Sequence, residues 1–258
     1  ARVRTEVLMG GLREHGHTSV RLLGTGPALV TAFPDVPPPK VDPTGSEPYR
    51  ADELSAAALS PEAFALKQRT YAAHVLFASS QRPFVASLPK ASTALVADTR
   101  FRMRVDAATA ATNLLAEAKS ARDAAALLDE DAADTTFIGI TSAYRSADAQ
   151  FARWDELFGK YFEAYRTQVL QSPAASPLAV DQKQLARFIG RRLAAPGYSL
   201  HQTGVAIDFK TIQSGQRYSA GNGTGWRTTW MYGWLQRNAV GIGFRQLKGE
   251  PWHWDFQS

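Results

Sequence analysis

Four segments of the chain place apolar residues at the spacing of an α-helix. The first begins near Ser60, where a hydroxyl group that can cap a helix precedes Pro61, and it runs to about Ser79. An alanine-rich helix is predicted over 106–129 and a shorter helix around 181–194. The fourth helix carries an aromatic stripe formed by Phe151, Trp154, Phe158, Tyr161 and Tyr165. Such a stripe is typical of a helix face that packs into a core.

Short β-branched and apolar runs predict the strands. We interpret 136–141 as a central strand that presents Tyr144, Arg145 and Ser146 directly after its end. Further strands are predicted near 204–209, 242–246 and 252–257. The segment 211–227 is rich in Gly, Ser, Thr and Gln and predicts a loop. The fold class is therefore α+β, with helices flanking a small, mainly antiparallel sheet.

Composition excludes several classes of function. The chain contains no cysteine, which rules out disulfides, thiolate zinc ligands and a cysteine nucleophile. The net charge of +5 would favour anionic surroundings such as a bacterial cell wall, although an ordinary basic surface gives the same value. No Lys/Arg-rich run or aromatic-basic ladder suggests a nucleic-acid groove. No stretch approaches the roughly 18 continuous apolar residues of a membrane span. We expect neither a nucleic-acid partner nor a span.

Two short segments, 199–208 and 250–254, bring together the groups of a catalytic zinc site. The candidate ligands are His201, Asp208 and His253. Hydrolytic zinc sites typically use three protein ligands and leave a fourth position for water. They also keep a carboxylate nearby that accepts the proton of this water. Glu250 is the candidate for that general base.

The spacing of these residues requires two bends. His201 and Asp208 are seven positions apart, and an odd separation on a flat strand would point them to opposite faces. Gly204 is the residue best able to accommodate a turn or bulge between them. Pro251, two residues before His253, predicts a kink at the second segment. With both bends, the three ligands can converge.

Two motifs of the chain resemble those of a group of zinc peptidases that includes lysostaphin, the D-alanyl-D-alanine peptidases and the Hedgehog signalling domain. The motifs are Ser-x-His-x-x-Gly-x-Ala-x-Asp and, later in the chain, Glu-x-Trp-His. Within this group, three further blocks resemble the VanY-type D,D-carboxypeptidases. They are 195–209, Tyr144–Ser146, and Trp234–Ala239 ahead of Gly243–Phe244. The resemblance covers roughly residues 98–258.

The resemblance implies an enzyme that hydrolyses the terminal D-Ala-D-Ala bond of peptidoglycan stem peptides with Zn²⁺ as its cofactor. Metal-activated water would attack the bond with Glu250 as general base, while Arg145 stabilises the developing oxyanion. Ser199, Gln150 and Ser146 match or neighbour family positions that contact the substrate, and they are expected to bind it.

The resemblance also divides the chain. Residues 98–258 are expected to form the peptidase domain, with the zinc site on its sheet. Residues 1–97 are expected to form a helical and irregular N-terminal extension. Six prolines predict a linker over about 34–48. The helix predicted at 60–79 has an apolar stripe that needs a partner, so we expect it to pack on the domain.

Two other interpretations stay open. In the first, the protein is still a hydrolase but cleaves a different bond of peptidoglycan, as an L,D-carboxypeptidase does, or an endopeptidase used as a lysin or antibacterial effector. The other is a non-catalytic binding module, as in Hedgehog. Peptidoglycan stem peptides are the expected partner. The expected location is the bacterial cell envelope, in the periplasm or cell wall, or outside the cell, although this chain itself shows no export signal.

Overall fold

The computed structural model describes residues 50–220, 223 and 225–257, and these contain six α-helices and seven β-strands. The helices are α1 (Pro61–Ser79), α2 (Val105–Ala125), α3 (Glu130–Asp134), α4 (Ala147–Gln168), α5 (Gln182–Gly190) and α6 (Trp230–Asn238). The strands are β1 (Thr93–Leu95), β2 (Arg102–Arg104), β3 (Thr135–Ser142), β4 (Ala206–Gln213), β5 (Gln216–Tyr218), β6 (Phe244–Gln246) and β7 (His253–Phe256). The linker predicted over 34–48 lies outside the described residues.

Local capping chemistry explains where the helices begin. The Ser60 hydroxyl accepts a hydrogen bond from the backbone N–H of Ala63, and Pro61 occupies the first helical position, which confirms the predicted start of α1. The alanine-rich helix α2 ends at Ala125, four residues earlier than predicted. The reason is that Asp129 caps a separate short helix, α3, by accepting from the N–H of Ala132.

The main sheet has five strands in the order β3-β4-β7-β6, and β5 pairs with the far end of β4. Strands β1 and β2 form a second, two-stranded sheet. Every pairing among the described strands is antiparallel, which confirms the predicted α+β class with a mainly antiparallel sheet. Within the described part of the chain β3 pairs only with β4, so the prediction that β3 is central is wrong. The central strand is β4, which has three partners.

The loop predicted over 211–227 is also partly wrong. Strand β4 continues to Gln213 and turns into β5 through Ser214 and Gly215, whose φ angles are 50° and 73°. A two-residue turn with positive φ at both positions matches the twist of a tight hairpin. The side chains of Thr211 and Gln213 are buried and hydrogen-bonded, so polar composition alone did not reveal the strand.

Two apolar clusters hold the fold together. The first joins α2 and α6 to one face of the main sheet. The second joins α1, α4 and α5 and contains the aromatic stripe of α4, which confirms its interpretation as core. Its buried members on α4 include Phe151, Trp154, Phe158 and Tyr165. Helix α1 contributes Leu66, Tyr71 and Val75 to this same cluster. Among the helices that the structure describes, none combines the length and the apolar composition that a membrane span requires.

Alternation along β4 decides which face carries polar chemistry. Ile207 and Phe209 are fully buried in the cluster beneath α2 and α6. Successive side chains of a strand point to opposite faces, so Asp208 lies on the other face. His253 is the Cα partner of Asp208 on β7, and directly paired residues share a face. The sheet therefore presents these two residues together, away from the main core.

Candidate metal centre and active site

His201 reaches the sheet through a short 3₁₀ turn, Leu200–Thr203, that precedes β4. Gly204 ends this turn in the left-handed conformation, with φ of 73°, so the bend predicted at this residue is confirmed. The backbone is also close to a neighbour there, because the N–H of Arg104 donates to the carbonyl of Gly204 at 2.8 Å. A Cβ atom at position 204 would come within 2.6 Å of a Leu88 methyl group.

The three predicted ligands meet around Asp208. Its Oδ2 lies 3.2 Å from Nε2 of His201, and its Oδ1 lies 2.9 Å from Nδ1 of His253. One ligand atom from each residue falls within 4.8 Å of the others. Ligands of a tetrahedral zinc ion with bonds of about 2.0–2.1 Å lie roughly 3.3 Å apart. The observed separations therefore need only small shifts to hold such an ion.

The chemistry of this donor set also fits zinc. All three side chains are less than a tenth exposed, with relative exposures of 7%, 8% and 4% for His201, Asp208 and His253. The backbone carbonyl of Ala143 lies 2.8 Å from Nδ1 of His201 and accepts its proton, which leaves Nε2 free to bind a metal. Two imidazoles and one carboxylate are ligands of the kind that catalytic zinc sites use, with one position left open.

The charges of these residues are strongly coupled. Burial by itself raises the pKa of Asp208, but hydrogen bonds and charges from both histidines outweigh it and hold this pKa well below its usual range. Burial by itself lowers the pKa of His253, but Asp208 and Asp255 outweigh it and raise this pKa to about 10. Without a metal, the site therefore attracts a proton. A metal ion that binds there takes the place of that positive charge.

Glu250 lies in the turn that leads into β7. The predicted kink at Pro251 is confirmed, since 251–252 form a turn and the carbonyl of Glu250 accepts from the N–H of His253 at 3.0 Å. The Glu250 side chain is partly buried. Burial raises its pKa, the charge of His253 opposes this rise, and the charge of Asp208 adds to it. A carboxylate with a raised pKa is well suited to accept and return a proton near neutral pH.

Arg145 follows β3 and is held from several sides. Its backbone N–H donates to the carbonyl of His201 at 3.1 Å. One guanidinium nitrogen donates to Oε1 of Gln150 at 2.5 Å, and another donates to the hydroxyl of Ser142 at 2.6 Å. Ser142 is the Cα partner of Asp208, so these contacts hold the guanidinium beside the candidate metal centre.

Burial lowers the pKa of Arg145, and the charge of Arg153 adds to this effect while Asp208 opposes it. An arginine nevertheless keeps its charge in a folded protein. The structure thus gives the site a fixed cation with a defined orientation.

The three predicted substrate-binding residues lie near the site, but their polar groups already have partners. Gln150 is fully buried, and besides accepting from Arg145 it donates to the carbonyl of Ala194 at 2.6 Å. The hydroxyl of Ser199 caps the turn that carries His201. The hydroxyl of Ser146 caps α4 by accepting from Ala149. Each of these side chains therefore has a structural role whether or not it also contacts a substrate.

Sequence reasoning missed Asp255, whose Oδ1 lies 3.1 Å from Nε2 of His253. It also missed Ser142 and the carbonyl of Ala143, which orient Arg145 and His201. A signal for Asp255 was present, because residues two apart on a strand share a face. The contacts of Ser142 and Ala143 had no such signal.

Several solved structures are similar to the chain at low identity. VanYB in complex with D-Alanine-D-Alanine is 19% identical, with 68% of this chain and 85% of that chain covered and a TM-score of 0.42. A mutant of the vancomycin resistance D,D-pentapeptidase VanY in complex with Zn(II) is 19% identical, with 67% and 85% covered and a TM-score of 0.41. The LdcB LD-carboxypeptidase is 22% identical, with 67% and 74% covered and a TM-score of 0.40.

No curated protein sequence matches the chain significantly. The model of the family VanY, D-alanyl-D-alanine carboxypeptidase, matches residues 102–258, which is more than half of the chain. The match begins at β2 and includes the candidate ligands, Glu250 and Arg145. The chain therefore belongs to the VanY family of D-alanyl-D-alanine carboxypeptidases and is a zinc peptidase.

Proposed function

We propose that this peptidase removes the terminal D-alanine from peptidoglycan stem peptides that end in D-Ala-D-Ala, with zinc held by His201, Asp208 and His253. The observation that carries the proposal is the arrangement of three buried ligand atoms within 4.8 Å of one another, with Glu250 and Arg145 beside them. Membership of the family supports the same substrate class. Since stem peptides belong to the cell wall, the proposal puts the protein in the bacterial envelope or outside the cell.

In the proposed mechanism, zinc would polarise the scissile carbonyl and bring the pKa of the attacking water down to roughly 7. Glu250 would take a proton from this water as its oxygen attacks the carbonyl carbon. The carbon–nitrogen bond then breaks, and Glu250 would return the proton to the departing amine of D-alanine. The raised pKa of Glu250 suits both transfers.

Arg145 would stabilise the negative charge that develops on the carbonyl oxygen. Its hydrogen bonds to Gln150 and Ser142 fix the guanidinium before the substrate arrives. A donor that is already oriented loses little freedom during the reaction, so it stabilises the transition state more than a mobile side chain would.

Mass spectrometry of purified muropeptides tests the proposal. Substrates with pentapeptide stems ending in D-Ala-D-Ala should each lose one alanine, and substrates with tetrapeptide stems should stay intact. Loss of alanine from tetrapeptide stems alone would indicate an L,D-carboxypeptidase. Cleavage within the stem or a cross-link would indicate an endopeptidase. Either result would contradict the proposed specificity.

The general base is tested with Glu250→Gln, and Glu156→Gln on the exposed surface of α4 is the matched control. Glu250→Gln should keep zinc and lose between about a hundredfold and ten-thousandfold in kcat, because general-base catalysis typically contributes that much. The control should keep both zinc and rate. If Glu250→Gln hydrolysed the pentapeptide at the wild-type rate, Glu250 would not be the base.

A further inference from the structure

We propose that Asp255 is a positioning residue for the candidate metal ligand His253: it fixes the imidazole proton on Nε2 and thereby directs the lone pair of Nδ1 to the metal. The inference takes from the proposed function only that the site binds zinc. It begins with one contact, in which Oδ1 of Asp255 lies 3.1 Å from Nε2 of His253. The opposite nitrogen, Nδ1, faces Asp208 at 2.9 Å.

The tautomer argument follows from what each group can do. Asp208 faces Nδ1 and Asp255 faces Nε2, and an ionised carboxylate can accept a hydrogen bond from either nitrogen. A metal ion held by Asp208 would take the place of the proton on Nδ1, which leaves a neutral imidazole with its one proton on the nitrogen that faces Asp255. The lone pair of Nδ1 is then directed to the metal. A second carboxylate also makes the bound imidazole a stronger ligand and fixes the plane of its ring.

The two histidines are supported in different ways. His201 gives its Nδ1 proton to the backbone carbonyl of Ala143 and offers Nε2 to the metal. His253 has the opposite arrangement, and its acceptor is a charged side chain. A backbone carbonyl stays in place when its side chain is replaced, whereas a carboxylate can be removed by substitution. Of the two imidazoles, His253 is therefore the one whose orientation depends on a replaceable residue.

The sheet explains why Asp255 reaches this nitrogen. Asp255 follows His253 by two positions on β7, so both side chains share the face that carries Asp208. Its Cα partner on β4 is Ala206, a small and fully buried residue that leaves space beside the carboxylate. The Asp255 side chain is 19% exposed, which limits competition from water for the hydrogen bond to His253.

Zinc affinity of the full protein, measured by competition with a chromophoric chelator, tests the inference without any substrate. Asp255→Ala should bind zinc about 10 to 100 times more weakly than the wild type, which is the usual effect of losing such a partner. Asp255→Asn should recover part of the affinity, because its amide oxygen still accepts the Nε2 proton. Cobalt substitution adds a spectroscopic test, since the visible bands of Co(II) should shift in Asp255→Ala and return toward the wild-type spectrum in Asp255→Asn.

Asp134→Ala is the matched control. It also removes a carboxylate and one hydrogen bond, to Ser214, but at the opposite end of the sheet. Its zinc affinity should stay within twofold of the wild type. If Asp255→Ala failed to fold by circular dichroism, Asp255→Leu would replace it, because leucine has the same branching at Cγ, accepts no hydrogen bond and suits a partly buried strand.

An affinity within twofold of the wild type in the folded Ala or Leu variant, with an unchanged cobalt spectrum, would overturn the inference. Asp255→Asn binding no better than Asp255→Ala would overturn it as well. These outcomes are separate from the fate of the proposed function. Tight zinc binding without hydrolysis of any stem peptide would refute the function alone, whereas unchanged binding in Asp255→Ala would refute only the role of Asp255.

Discussion

Replacing Gln150 by methionine tests how the site holds Arg145. The two side chains have similar length and volume, so Gln150→Met removes hydrogen bonds without leaving a large cavity. Gln150 is fully buried and joins two elements. It accepts from the guanidinium of Arg145 on one side and donates to the carbonyl of Ala194 on the other. The substitution breaks both bonds, so the carbonyl of Ala194 loses this donor and the guanidinium of Arg145 keeps only its bond to Ser142 on this side of the site.

The expected cost follows from these two bonds. A hydrogen bond to a charged group contributes about 1.5–3 kcal/mol, and an unpaired buried carbonyl costs about 1–3 kcal/mol. Together they predict that the free energy of unfolding falls by about 2.5–6 kcal/mol. For a protein of this size, each kcal/mol lowers Tm by about 2–4 °C, so the melting temperature should fall by between about 5 and 24 °C. A guanidinium that is less well oriented should also lower kcat at least about tenfold.

Thermal unfolding and steady-state hydrolysis of a stem pentapeptide check this prediction side by side. Gln168→Met, at the exposed end of α4, is the control and should change neither quantity. A Gln150→Met protein with the wild-type Tm and kcat but a raised KM would refute the reasoning. That result would mean that Gln150 contacts the substrate and does not hold Arg145.

Three further outcomes are expected. His201→Ala should lose both its stoichiometric zinc, measured by elemental analysis, and its hydrolysis of stem peptides. In the wild-type protein, adding zinc after chelation should restore the rate of hydrolysis. Hydrolysis that persists after verified metal removal would contradict a metal-dependent mechanism. Gly204→Ala should lower the free energy of unfolding by about 1–2 kcal/mol or more and weaken zinc binding, because alanine is strained at φ of 73° and its Cβ would collide with Leu88. A wild-type free energy of unfolding in urea would instead show that the bend tolerates a side chain. Burial lowers the pKa of His74 to about 4, so the unfolded chain takes up a proton at that residue near pH 6.5 before the folded protein does. The stability that neutral His74 contributes is present above pH 6.5, and about 3 kcal/mol of the free energy of unfolding should be lost as the pH falls to 4. In urea titrations, the free energy of unfolding of His74→Phe should fall less over this pH range. If it fell as steeply with pH as that of the wild type, the assignment to His74 would be contradicted.

Features of the protein that depend on neighbouring residues could be predicted from the amino-acid sequence. Ser60 and Pro61 set the start of α1 because a cap acts within one helical turn. The odd spacing between His201 and Asp208 required a bend, and Gly204 was the residue able to form it. The three candidate ligands and the candidate base Glu250 could likewise be named from two short motifs, because the chemistry of zinc restricts the choice of side chains.

Features that depend on residues far apart in the chain could be seen only in the folded structure. Among the described strands, β3 lies at an edge of the main sheet and β4 has three partners. Strand pairing depends on residues far apart in the chain, so the composition of one strand does not reveal it. The free nitrogen of His201 is set by Ala143, 58 positions earlier, and the amide of Gln150 is engaged by Ala194, 44 positions later. Hydrogen-bonding partners of buried groups are chosen by whichever backbone or side chain folding brings within about 3 Å. The sequence could therefore name the groups of the site but not the contacts that orient them.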